Sequence, residues 1–241
     1  MKFLVEFDLE REKIPIDYRS CFLSVFKTCL SSANDGKYFQ EYYEPAKEKP
    51  YTWSVVFDKP KFSKDAVNIT GKHIKLMVST SDTKSGFILF SAFSAYCRKK
   101  FPLPMDNSMR MTRIAQLKEQ NVSSNRILIK MLEPLCVRKH DESTNKDWYY
   151  STKQDEFETE FKRVIKEQLI AAGFAENMSN VDISPVNSRT VIIKFYGINV
   201  ESSLGDFILE GNKAVLNYLL KSGMGSRKSA GFGCFKLIAE E

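Results

Sequence analysis

Histidine is nearly absent from this chain. Only His73 and His140 occur among 241 residues. The five cysteines (Cys21, Cys29, Cys97, Cys136 and Cys234) are scattered, with no CxxC pair and no histidine at metal-ligand spacing. A zinc site and a disulfide framework are therefore not expected, and reduced thiols are. Long hydrophobic runs are missing too. The longest nearly apolar stretch, Phe87 to Cys97, falls short of the roughly 20 residues a spanning helix requires. The amino terminus, MKFLVEFDLE, alternates apolar and polar residues and lacks the basic and then apolar regions of an export signal. A soluble, cytoplasmic protein without membrane contact, metal or cofactor is the resulting expectation.

Apolar material is nevertheless plentiful. With 43% hydrophobic and 27% charged residues, the chain can bury sizeable cores and does not read as disordered. Its length suits one large domain or two of about 100 residues each. The formal charge of +6 fits a polyanionic partner without requiring one.

Periodicity gives a repeated order of elements. Met1 to Glu10 alternates as a strand, and Ile16 to Leu30 carries Cys21, Phe22, Val25, Phe26 and Cys29 at helical spacing. Strands follow at Tyr51 to Phe57 and at VNIT and HIKLMVS, the last two joined by a short turn at Gly71 and Lys72. A helix between Gly86 and Lys100 and a strand from Met109 to Leu117 complete the set. After polar residues from Lys118 to Asn125, RILIKMLEPLCV reads as a strand interrupted at Pro134. A polar loop from Lys139 to Lys146, a short strand at Trp148 to Ser151 and a helix from Glu156 to Ala172 come next. Strands at Val181 to Val186 and Thr190 to Tyr196, a helix at Asn212 to Lys221 and a strand at Cys234 to Ala239 close the chain. The fold class expected is α+β: two tandem ferredoxin-like (RRM-like) domains, 1–120 and 121–241, with a glycine-rich loop near the C-terminus.

That loop, SGMGSRKSAGFGCFKL, is the most specific feature. Gly223, Gly225, Gly231 and Gly233 lie between a helix and a strand, with Ser226, Arg227, Lys228 and Ser229 among them. Glycines let backbone N–H groups approach a phosphate, and Arg227 and Lys228 supply charge at the tip. The alternative is a helix cap followed by a bulged turn. The GK[ST] ending of a phosphate-binding NTPase loop is absent. Arg98, Lys99 and Lys100 either complement a helix dipole or touch the polyanionic partner.

The run from Gly205 through Phe235 resembles the C-terminal signature of CRISPR-associated repeat-processing endoribonucleases of the RAMP superfamily. MLEPLCVRK resembles the family's apolar strand with a central proline, and KPYTWSVVF its early Thr-aromatic-Ser strand. The resemblance implies binding of CRISPR repeat RNA, the precursor crRNA, and metal-independent cleavage leaving a 2′,3′-cyclic phosphate. It also implies a Tyr, His and Lys set. The His position holds Tyr43, the Lys position holds Lys49, and the helix Tyr falls at Phe26. Tyr42, Tyr43 and Lys49 are the catalytic candidates, with Lys47 nearby, and the loop residues are the RNA-binding ones. Tyr titrates near 10 and His near 6.5, so the missing imidazole leaves two readings, an endoribonuclease and an RNA-binding subunit with weak or no activity. A third treats the loop as a structural cap. CRISPR effector subunits and a second copy of the chain stay open as protein partners.

Overall fold

The computed structural model describes residues 1–43 and 48–241; Lys47 lies outside the described residues. Two compact units emerge. The first comprises Met1–Lys118 with the short segment Lys194–Gly197, and the second Glu119–Ile193 with Ile198–Glu241.

In the first unit, β1 (Lys2–Leu9) owes its register to alternation. Phe3, Val5, Phe7 and Leu9 are buried beneath the helices while the residues between them face away. After β2 (Lys13–Pro15), α1 (Tyr18–Ser31) starts at Asp17, whose carboxylate accepts the Ser20 N–H. A short helix α2 (Lys37–Tyr43) follows, and then β3 (Tyr51–Phe57), β4 (Pro60–Phe62), β5 (Ala66–Ile69) and β6 (His73–Thr80). Helix α3 (Thr83–Ala95), capped by Asp82 accepting the Ser85 N–H at 2.8 Å, leads to β7 (Lys100–Leu103) and β8 (Asn107–Gln116). The main sheet has the order β3-β6-β1-β8-β7. Without β7, this is the antiparallel sheet of a βαββαβ unit.

One expected pairing does not form. β5, which contains most of VNIT, joins β2 and β4 in a separate three-stranded sheet, whereas β6 pairs with β1 and β3. The turn at 70–72 thus links two sheets instead of closing a hairpin. β6 is a central strand, and its two ladders leave no edge for β5.

The second unit repeats the plan with β9 (Arg126–Met131), β10 (Val137–Asp141), β11 (Lys146–Tyr150), α4 (Phe157–Ala171), β12 (Val181–Phe195), β13 (Ile198–Gly211), α5 (Lys213–Ser222) and β14 (Phe235–Glu240). Its four-stranded sheet runs β12-β13-β9-β14, and β10 and β11 form a separate hairpin. Phe157, Phe161, Val164, Ile165 and Leu169 of α4 are buried with Ile127, Ile129, Phe207, Leu209, Val215, Leu216 and Leu219. The fold class read from the sequence therefore holds: two ferredoxin-like units in tandem, with a glycine-rich loop before the last strand.

The two short strands expected between Val181 and Tyr196 are one strand of 15 residues, and β13 was not anticipated. Pro185, Asn187 and Ser188 look like turn formers, yet β12 is an edge strand, where proline costs no ladder bond. The turn sits at Tyr196 and Gly197, both at positive φ (47° and 79°), as a two-residue hairpin turn requires.

Candidate RNA-processing site

Tyr43 ends α2, and Lys49 precedes β3 by two residues. The Tyr51 N–H donates to the Lys49 carbonyl at 2.9 Å, which ties the approach to the strand. The Lys49 Nζ stands 4.9 Å from the centroid of the Tyr43 ring. From α1, the Lys27 Nζ reaches 5.4 Å from the same centroid. Both distances lie within cation–π range. Phe39 stacks on Tyr43 at 5.2 Å, and the Tyr43 and Tyr51 hydroxyls are 3.4 Å apart.

This arrangement alters the ionisation of its members. Burial and then the charge of Lys27 push the Lys49 ammonium below the usual lysine range. Burial raises the Tyr43 phenol, with the Tyr51 hydroxyl opposing, so the ring keeps its proton at neutral pH. Tyr43 is thus suited to donating or orienting and unsuited to accepting a proton.

Tyr42 takes a different part. It is buried, its hydroxyl donates to the Ser85 Oγ at 2.6 Å, and burial lifts its pKa to about 12. It anchors α2 to α3. Phe26, at the position where the resemblance places a tyrosine, is a core residue stacked 5.3 Å from Tyr51. Lys27, one position on, is the group sequence reading missed. Its signal was slight: an exposed lysine next to a buried aromatic on an amphipathic helix.

In the second unit the glycine loop folds tightly against its neighbours. Gly223, at φ 76°, caps α5 through its N–H to Leu219 O at 2.8 Å. The Gly225 N–H donates to the Gln168 Oε1, Ser226 to Cys136 O and Gly233 to Pro134 O, at 3.1, 2.8 and 2.9 Å. Met224 donates to Gly233 O, Ala230 to Arg227 O and Gly231 to Lys228 O. The expectation that the loop offers its amides to a phosphate is corrected at these positions, because each already has a protein acceptor. Lys228 is also not an exposed charge at the tip. It is 3% exposed, with its Nζ 5.8 Å from the Tyr218 ring centroid. Ser229 is partly buried at the same turn.

Arg227, in the left-handed region at φ 59°, donates through Nη2 to the Asp147 Oδ2 (3.0 Å) and the Tyr149 hydroxyl (2.7 Å). Both oxygens of Asp147 also accept from the Arg138 Nη1 at 3.1 Å, and the carboxylate accepts from the Tyr149 hydroxyl at 3.0 Å and the His140 ring at 2.8 Å. Partial burial works to raise the Asp147 pKa, but the hydrogen bonds from His140, Arg138 and Tyr149 outweigh it and hold the carboxyl at about 2. His73 lies in the first unit, paired with Asp8 at 2.9 Å. Of the basic run, Lys100 pairs with Glu10 and Lys99 covers the Tyr96 ring.

Among the described residues, no group of three or more His, Cys, Asp or Glu is placed to hold a metal ion, and no helix is long and apolar enough to cross a membrane.

A family model described as CRISPR associated protein Cas6, C-terminal, matches residues 117–237. No curated protein sequence matches the chain. A structure of a Cas6-related gene product from Pyrococcus furiosus aligns over 100% of this chain and 99% of that one, at TM-score 0.84 and 18% identity. An RAMP protein described as binding different RNA substrates aligns over 99% and 100% at TM-score 0.83 and 17% identity. A Cas6 product complex aligns over 98% and 99% at TM-score 0.71 and 14% identity. At these identities the likeness is one of fold.

Proposed function

The chain belongs to the CRISPR-associated Cas6 family, and from that premise we propose that it is a metal-independent endoribonuclease for CRISPR repeat RNA, acting at Tyr43, Lys49 and Lys27. The observation that carries this reading is the meeting of two lysine ammoniums on one tyrosine ring, 4.9 and 5.4 Å from its centroid. Cleavage begins when the ribose 2′-oxygen attacks the adjacent phosphorus. The 2′-hydroxyl proton passes to solvent water, the bond to the 5′-oxygen breaks, and that oxygen takes up a proton from Tyr43 or water. The products are a 2′,3′-cyclic phosphate and a 5′-hydroxyl. The phosphorane between them gathers negative charge, which paired ammoniums in a partly buried site stabilise more strongly than water does. The protonated Tyr43 phenol orients the 2′-hydroxyl or donates to the departing oxygen. In the second unit, Arg227 and its neighbours at the rim of the glycine loop hold the RNA backbone, since guanidinium suits phosphate geometry.

The test is incubation of end-labelled repeat RNA with the protein in EDTA. The expected result is a single cut within the repeat whose upstream product carries a 2′,3′-cyclic phosphate. Tight binding without cleavage would instead establish an RNA-binding subunit that lacks activity.

A further inference from the structure

Four donors from three places in the sequence converge on the single carboxylate of Asp147. Arg138 and His140 come from β10, Tyr149 from β11 beside Asp147, and Arg227 from the glycine loop. In the hairpin register, Arg138 faces Tyr149 and His140 faces Asp147, so all four project from one face of the ribbon. The cluster is braced from behind. The Arg163 guanidinium of α4 donates to the Arg138 carbonyl at 2.9 Å, and the Arg138 N–H donates to the Ser226 Oγ at 3.2 Å. It is also still open to solvent, as the side chains of Arg138, His140 and Arg227 are 35%, 36% and 24% exposed.

A carboxylate inside a patch meant to attract RNA is a charge of the wrong sign. Two guanidiniums close together repel, and each has many rotamers. One carboxylate that accepts from both removes the repulsion and fixes both forks. We propose that Asp147 is a positioning residue for RNA binding: it holds Arg138 and Arg227 side by side so that the solvent-exposed part of the cationic pair forms one preformed phosphate site. The proposal rests on the reading that the glycine-loop unit binds repeat RNA. The ligand class is the ribose-phosphate backbone, since the donors are cationic and carry no base-edge pattern.

Asp147→Asn separates this from a purely electrostatic role by the sign of its effect. The substitution raises the net charge by one, so if charge alone governed, RNA would bind more tightly and with a steeper salt dependence. Positioning predicts the reverse. Affinity for labelled repeat RNA should fall on the order of tenfold, and the slope of log K against log salt should flatten by about one, because one phosphate is no longer gripped. Tyr149→Phe removes only the hydroxyl shared by Asp147 and Arg227 and should weaken binding in the same direction with the thermal midpoint little changed. If Asp147→Asn proved unfolded at the assay temperature, Tyr149→Phe would decide alone. Equal or tighter binding by the folded variants overturns the inference while leaving the functional reading intact. Parent protein that binds repeat RNA no better than heparin-competed random RNA overturns both.

Discussion

At the scale of single residues, the proposed function turns on a substitution of chemistry. Tyr43 stands where the family resemblance places an imidazole, and the protein surrounds it with two lysines. Lys49 is made easier to deprotonate by burial and by Lys27, so a reaction that needs the Lys49 ammonium loses rate at a lower pH than an ordinary lysine would dictate. The sign follows directly: the cation is present below its pKa and lost as pH rises through it. Lys27→Met removes the repulsion, raises the Lys49 pKa and should move the alkaline fall of single-turnover cleavage to higher pH, even as the maximal rate declines. A fall at unchanged pH would mean that Lys27 does not act on Lys49. Lys49 and Tyr43 were legible in the sequence as candidates, because they sit at fixed offsets from the Thr-aromatic-Ser strand. Lys27 and Asp147 were not, because their partners are distant in sequence, and nothing local to either residue encodes those pairings.

At the scale of elements, α4 and α5 were readable from their apolar stripes and β1 from its alternation, since each codes its buried face locally. β13 was obscured because Ser202, Ser203 and Gly205 interrupt its alternation. A Cβ at Gly205 would lie 2.0 Å from Asn187 O, so the backbones of β12 and β13 approach there too closely for any side chain. The glycine loop was recognised as an element, but its inward hydrogen bonding was not, because glycine spacing does not reveal where N–H groups point. Gly225 tests the tightness of that packing. Its Cβ would meet Cys136 O at 2.7 Å and Leu135 Cδ1 at 2.8 Å, at φ +82°. Gly173, at φ +89°, would meet nothing within 4 Å. Gly173→Ala should cost roughly 1–2 kcal/mol from backbone strain alone, and Gly225→Ala a further ~1–3 kcal/mol from crowding. Urea unfolding of both variants measures the difference. Equal losses would show that the loop has room the structure does not display.

At the scale of the whole molecule, each unit has the antiparallel order of a βαββαβ sheet, in β3-β6-β1-β8 and again in β12-β13-β9-β14. The repeated order was legible without any repeat of sequence, because local periodicity sets the succession of elements and the ferredoxin-like plan follows from that succession. The small sheet of β2, β5 and β4 was not, since strand pairing across separate segments is not written in any one of them. The division of labour proposed here assigns cleavage to Lys49 and its neighbours in the first unit and RNA retention to the Asp147 and Arg227 cluster in the second. Its central claim is that the chain cuts repeat RNA without a metal through Lys49. The most direct measurement is single-turnover cleavage of labelled repeat RNA in EDTA by the parent, Lys49→Ala, His73→Ala and His140→Ala, with affinity measured alongside. The account predicts a loss on the order of 10²–10³ in rate for Lys49→Ala, near-parent cleavage for His73→Ala, and for His140→Ala at most weaker binding with the saturated rate retained. Abolition of cleavage by His140→Ala, with Lys49→Ala cutting at the parent rate, would contradict it.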